Sequence, residues 1–179
     1  MKMIFFILKE KKKIKLNNFH KLLCGKFRPG HFYGVVDVVD RFLSIIKPSF
    51  IFLGEKDLQQ LILIEKYIYN KHKVKVVICK TIRDKNGLAL SSRNFLLNNK
   101  EKKIGSKVYK LLYKEKKKFK NDKKKYMLNK LKNKILKCGV KKIDYLEYIN
   151  IKNIIKSSEK KYKLFIAYYL RSVRLIDNI

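Results

Sequence analysis

The sequence predicts an α/β protein in which part of a parallel sheet layer comes first and a small α+β region follows. Two observations carry this. Over 34–79 apolar residues switch between helical spacing and short continuous runs, giving the order helix, strand, helix, strand of parallel strands joined by right-handed crossovers. From Thr81 onward that rhythm gives way to lysine-rich helical stretches and then to alternating strands. A chain of 179 residues, 46% of them hydrophobic, can supply a core for both parts.

The first helix is predicted over 34–47, where Val35, Val38, Val39, Phe42, Ile45 and Ile46 recur at helical spacing and Pro48 marks the stop. So many apolar positions predict a well-buried helix. Ser49, Phe50, Ile51, Phe52 and Leu53 then form a continuous run ending at Gly54, the pattern of a parallel strand covered on both faces. A second amphipathic stretch covers 57–72, and Val74, Lys75, Val76, Val77, Ile78 and Cys79 read as the next strand. These strands are too few to close a doubly wound sheet.

Beyond a polar turn at Arg83, Asp84, Lys85, Asn86 and Gly87, two helical stretches are expected within 99–137. Strands are expected at 144–149, 164–170 and 174–176, with polar turn residues Lys156, Ser157, Ser158 and Glu159 between the first two.

The net charge of +32 would ordinarily point to nucleic acid or an anionic membrane. The 46 basic residues, however, are 40 lysines and six arginines, and it is the guanidinium fork that reads phosphates and bases in two-pronged fashion. Lysine also accompanies abundant Ile, Asn, Tyr and Phe, so it reads as compositional background. The clusters Lys116, Lys117, Lys118 and Lys123, Lys124, Lys125 read as solvated helix faces, and a nucleic-acid partner is not expected. Cys24, Cys79 and Cys138 show neither disulfide nor zinc spacing, which suits a reducing, cytoplasmic setting and no metal ligated by the protein. The run Met3, Ile4, Phe5, Phe6, Ile7, Leu8 is far shorter than the roughly 20 apolar residues of a membrane span.

Three junction segments carry polar residues that amphipathicity does not explain. At Gly54, Glu55, Lys56 and Asp57 a strand hands over to a helix, where open α/β sheets bind ligands. Lys56 offers phosphate a point charge, Asp57 either accepts from a ribose hydroxyl or caps the helix, and Gln60 lies one turn further on. Ser91, Ser92 and Arg93 set two hydroxyls beside a guanidinium, a grouping for triphosphate oxygens or a plain helix cap. In the segment Arg28, Pro29, Gly30, His31, Phe32, the histidine is a general base or a turn-stabilising residue. No G-x-x-x-x-G-K-[ST] element is present, so a P-loop is excluded.

In order and spacing, these segments (28–35, 53–61 and 87–94), with the ending Arg174, Leu175, Ile176, Asp177, Asn178, resemble the pantothenate synthetase family from about Lys15 onward. The resemblance implies a Rossmann-like, nucleotidyltransferase-type domain, a smaller C-terminal lid domain and a homodimer. It divides this chain at 1–82 and 83–179, with 1–14 as a leader outside the resemblance. It implies ATP with Mg²⁺, pantoate and β-alanine as reactants, a pantoyl adenylate intermediate, and pantothenate, AMP and pyrophosphate as products. Gly54 and Asp57 would meet the ribose, Lys56, Ser91, Ser92 and Arg93 the phosphates, and Ile82 the adenine, with Leu90 in the ATP-binding set. Gln60 would hold pantoate, Val38 and Val39 would wall its pocket, and Arg28 and His31 would be structural or site residues.

One departure stands against these matches. The family's His-x-x-His element, its N-terminal glutamine and the acidic residues associated with Mg²⁺ have no counterpart before Arg28. The expectation is a ligase lacking its main phosphate clamp, completed by a separate N-terminal half or inactive alone. The alternatives are a non-catalytic remnant and a basic nucleic-acid-binding protein.

Overall fold

The computed structural model describes residues 14–69, 71–119, 124–151 and 162–179. The chain divides into two compact units, Met1–Cys79 and Lys80–Ile179. The expected leader, apart from Ile14, lies outside the described residues, as do Lys123 and the expected turn at Lys156, Ser157, Ser158 and Glu159.

In the first unit a 3-10 turn (Asn18–Lys21) and a single helical turn α1 (Cys24–Phe27) precede the long helix α2 (His31–Ile46). Strand β1 (Phe50–Gly54), a 3-10 turn (Glu55–Asp57), helix α3 (Leu58–Ile68) and strand β2 (Lys75–Cys79) follow. The two strands run parallel in register from Phe50 opposite Lys75 to Gly54 opposite Cys79, so β1, α3 and β2 form the expected crossover.

Helix α2 starts three residues before its predicted start because Gly30, at φ 77°, turns the chain into it through a left-handed conformation that favours glycine. It ends at Lys47, also left-handed, whose N–H donates to the Leu43 carbonyl just before Pro48.

The prediction of thorough burial fails. Phe32, Val36, Asp40 and Leu43 face inward, whereas Val38, Phe42, Ile45 and Ile46 are exposed. Strand β1 likewise buries one side only, with Ile51 and Leu53 inward and Phe50 and Phe52 exposed. The reason is geometric. A helix offers its core one stripe, and α2, α3 and the inward residues of β1 and β2 all share one cluster built on Val36, Leu43, Ile64 and Ile68.

In the second unit a 3-10 turn (Ser92–Leu96) leads to helices α4 (Asn99–Lys116) and α5 (Lys124–Lys137). Strands β3 (Lys142–Asn150), β4 (Tyr162–Leu170) and β5 (Val173–Asn178) form an antiparallel sheet in that order. Helix α4 starts at a capping box: Asn98 Oδ1 accepts from the Glu101 N–H while Glu101 Oε2 accepts from the Asn98 N–H. Leu112, Leu131, Ile135, Leu164, Ile166 and Leu170 are fully buried in its core. The strands outrun their predicted lengths, since polar ends such as Lys142, Asp177 and Asn178 join the ladder although their side chains break the apolar pattern.

Two carboxylates of this unit, Asp144 and Glu115, are held by cations. Burial acts to raise the Asp144 carboxyl, but Arg174 (2.8 Å) and Lys142 (3.2 Å) outweigh it and hold it below the usual range. Glu115 is held low first by its hydrogen bond from Lys134, at 2.7 Å. Both carboxyls are more acidic folded than unfolded, so their stabilisation is present above the unfolded values and lost as pH falls through the folded ones. The melting temperature of the second unit should therefore drop on acidification below about pH 4. A melting temperature level from neutrality to about pH 3 would contradict this assignment.

Candidate functional site

In the first unit, Gly54, Lys56, Asp57 and Gln60 gather at one junction, where the carboxyl end of β1 passes through the 3-10 turn into α3. A Cβ on Gly54 would meet nothing within 4 Å, which leaves the backbone approachable. Asp57 stands at the N-cap position of α3 but makes no side-chain capping bond. Its carboxylate lies instead 3.6 Å from the Lys56 ammonium, with Lys56 only 18% exposed and Asp57 48%. This is a withdrawn cation beside an accessible carboxylate at a strand end. Gln60 is half-buried one turn on.

The neighbouring Gln59 is buried and committed elsewhere. Its Nε2 donates to the carbonyls of Phe19 (2.8 Å) and Leu22 (2.7 Å), and its Oε1 accepts from the Cys24 N–H (3.0 Å). It pins the chain before α1 onto α3.

Arg28 and His31 do come together: Nη1 of Arg28 donates to Nε2 of His31 at 2.9 Å across the turn that opens α2. His20 meets Tyr33 edge-on, its Nε2 3.2 Å from the Tyr33 hydroxyl. Val38 is exposed, whereas Val39, one residue on, packs against the unit's core.

In the second unit the chain doubles back between Ile82 and Leu90. Asp84 Oδ1 accepts from the N–H groups of Asn86 (2.8 Å) and Leu88 (3.0 Å), Arg83 bridges Ala89, and the Leu90 N–H donates to the Ile82 carbonyl (2.9 Å). Ile82 and Leu90 are thus brought side by side, both exposed. Gly87, at φ 96°, has its α-carbon against Tyr109, where a Cβ would lie 2.2 Å from Cδ1 of that ring. Leu88 and Ala89 are buried on one side of Ser91, Ser92 and Arg93, and Leu97 on the other. Between these anchors Ser92 and Arg93 are exposed.

Ser91 does cap the 3-10 turn, its Oγ accepting from the Arg93 N–H at 3.2 Å, and the hydroxyl proton remains available to donate. The arrangement presents two hydroxyls and a guanidinium on a loop fixed at both ends, as anion recognition requires.

A family model described as Pantoate-beta-alanine ligase matches residues 2–179 of the chain. The chain belongs to the pantoate-β-alanine ligase family. Among curated relatives, the pantothenate synthetase of Caldicellulosiruptor bescii is 35% identical over 171 residues, covering 93% of this chain and 61% of its own length. That of Azobacteroides pseudotrichonymphae is 38% identical over 170 residues, covering 92% and 61%. Among solved structures, the Francisella tularensis pantoate-β-alanine ligase, complexed with β-γ ATP and β-alanine, is 35% identical with a TM-score of 0.74 over 96% of this chain and 57% of that one. The Thermus thermophilus pantothenate synthetase is 26% identical, with a TM-score of 0.81 over 96% and 64%. The chain thus spans about three fifths of the length of the curated relatives it matches. The fold is that of this ligase family, a parallel α/β layer with a small antiparallel sheet after it.

Three polar groups in this family member escaped the sequence reading: Gln59, the Asp40 cluster and the pair of Arg83 with Asp177. Gln59 was hidden beside Gln60, since a doublet does not say which amide turns inward. Asp40 is fully buried between Lys71 and His72, residues 31 and 32 positions away, and no local pattern signals such a partnership.

Proposed function

We propose that this chain acts in ATP-dependent ligation of pantoate and β-alanine to pantothenate, with release of AMP and pyrophosphate. The observation that carries this is the withdrawn Lys56 at the carboxyl end of a parallel strand, in a family with a member solved with β-γ ATP and β-alanine. In the first step a pantoate carboxylate oxygen bonds to the α-phosphorus as its bond to the pyrophosphate oxygen breaks. In the second the β-alanine nitrogen bonds to the acyl carbon, the acyl–oxygen bond to AMP breaks, and the amine proton passes to solvent.

In the first unit Lys56 offers its charge to phosphate oxygens; in the second, Ser91 and Ser92 offer hydroxyl donors and Arg93 a guanidinium to phosphate oxygens. Gly54 and Asp57 take the ribose, Ile82 and Leu90 the adenine face, and Gln60 pantoate, with Val38 and Val39 as apolar wall. Arg28 and His31 shape the turn into α2 and stay outside the chemistry.

Among the described residues no group of three or more His, Cys, Asp or Glu side chains could hold a metal ion. Mg²⁺ enters the proposal as the companion of the ATP phosphates, which with water and one or two carboxylates supply the ligands it needs. The exposed apolar residues Val38, Phe42, Ile45, Ile46, Phe50 and Phe52 support an assembled form, as a homodimer or with a separate N-terminal half. A cytoplasmic setting is part of the same proposal, supported by three free cysteines. Among the described residues no helix is long and apolar enough to cross a membrane.

Nothing favours the nucleic-acid reading. Each of the six arginines has a partner within its own unit: Arg28 with His31, Arg41 with Asp37, Arg83 with Asp177, Arg93 with the Arg174 carbonyl, Arg171 with Glu101, and Arg174 with Asp144.

The test is AMP formation from Mg-ATP by the purified chain, with pantoate and β-alanine omitted in turn. The expected result is AMP only when both acceptors are present, and pyrophosphate release when pantoate alone is added. A chain that binds ATP but releases nothing with pantoate would overturn the reading as a ligase active by itself.

A further inference from the structure

We propose that Arg83 and Asp177 form a latch that sets the position of the Ser91, Ser92, Arg93 segment, making both positioning residues for anion binding. The proposal rests on reading that segment as the phosphate contact. Arg83 grips Asp177 with both prongs, Nη1 to Oδ2 at 2.6 Å and Nη2 to Oδ1 at 2.8 Å, across 94 positions of sequence. Their side chains are 16% and 8% exposed, so water competes little for the bond. Nη1 also donates to the Gly87 carbonyl at 3.1 Å, and the guanidinium lies 4.1 Å over the Tyr109 ring, against which Gly87 is pressed. Asp177 is itself fixed, since it pairs with Ile166 in the sheet and its Oδ1 accepts from the Asn178 N–H at 2.8 Å.

What hangs from this latch is the doubled-back segment. Arg83 bridges Ala89, the residue two before Ser91, and the Ala89 carbonyl accepts from Asn94 Nδ2 at 3.0 Å on the far side of Arg93. The same β4–β5 hairpin takes hold again downstream: Arg93 Nη1 donates to the Arg174 carbonyl at 3.2 Å, and Arg171 Nη2 to the Leu96 carbonyl at 3.3 Å. Arg171 also pairs with Glu101 at 3.2 Å, in the capping box of α4. Both flanks of the segment are thus lashed to one hairpin.

Composition points the same way. In a chain of 40 lysines, four of the six arginines (Arg83, Arg93, Arg171 and Arg174) sit in this cluster, and at Arg83 a single ammonium could not reach both carboxylate oxygens in a plane. Anion donors held in place before the ligand arrives do not have to be ordered by it.

The experiment uses the full chain with Arg83→Lys, Asp177→Asn and the exchanged pair Arg83→Asp/Asp177→Arg, beside Leu112→Ala as a core variant of the same unit that leaves Arg83 and Asp177 in place. Amide hydrogen exchange at Leu88 and Leu90 and ATP affinity are read well below each variant's melting temperature. Both single latch variants should speed exchange on the order of tenfold and weaken ATP about 10- to 100-fold, the exchanged pair should recover part of both, and Leu112→Ala should leave ATP affinity unchanged. Unchanged exchange in the single variants, or equal loss of ATP affinity in Leu112→Ala, overturns the latch. If the wild-type chain binds no ATP, the phosphate reading has failed, and the exchange rates alone decide whether the latch holds the segment.

Discussion

Lys56→Ala should lower turnover in pantoate-dependent AMP formation by about 10²- to 10³-fold while shifting the KM for ATP only a few fold. ATP carries its negative charge before and after binding, so a cation that merely attracts it would change affinity. Charge grows on the departing pyrophosphate only as the bond to the α-phosphorus breaks, and a cation aimed there acts chiefly on the transition state. The ammonium is withdrawn into the strand-to-helix junction, where a charge about 4 Å away interacts with about 4 kcal/mol at an effective dielectric of about 20, against about 1 kcal/mol in bulk water. Lys56→Arg should not restore the rate, because the planar fork spreads its charge over a different geometry. Equal losses in kcat and in ATP affinity would show that Lys56 only binds.

The second large effect concerns stability. Asp40 is 0% exposed and holds two partners: the Lys71 ammonium Nζ on Oδ2 at 2.8 Å and His72 Nε2 on Oδ1 at 2.7 Å. Lys71 also donates to the Tyr67 hydroxyl at 2.8 Å and lies 4.9 Å over that ring. The carboxylate thereby fastens the turn after α3 to the middle of α2. Asp40→Ala leaves His72 facing an empty acceptor site, while Lys71, at 42% exposure, can recover some water. The expected loss is about 2–4 kcal/mol for the first unit, below the usual range for breaking a fully buried pair because one partner is half in solvent. Urea unfolding that follows the first unit measures it. A midpoint unmoved by the substitution would mean that the cluster contributes nothing net.

What could be read from the residues follows the reach of each signal. The helix and strand order over 34–79 was legible because apolar periodicity is local and crossovers have one hand. Burial was not. Val38, Phe42, Phe50 and Phe52 have the same apolar character as Val36 and Ile51, and only the packed fold shows which of them the shared helix cluster can reach. The junction positions of Lys56 and Ser91 were legible, since each lies where an element begins or ends. Their surroundings were not. The uncapped Asp57, the commitment of Gln59 to the preceding chain and the grip of Arg83 on Asp177 depend on residues one turn, 35 to 40 positions and 94 positions away.

The β4–β5 hairpin that fastens the Ser91, Ser92, Arg93 segment also governs when that segment can take shape. Its tethers Arg171, Arg174 and Asp177 lie some 75 to 94 positions downstream of their partners, so the chain must close a long loop before any of them forms. Helices α4 and α5, built on local contacts, regain their structure early in refolding, whereas the tethered segment waits for the sheet. A refolding chain therefore recovers helical signal first and protection of the Leu88 and Leu90 amides in a later phase.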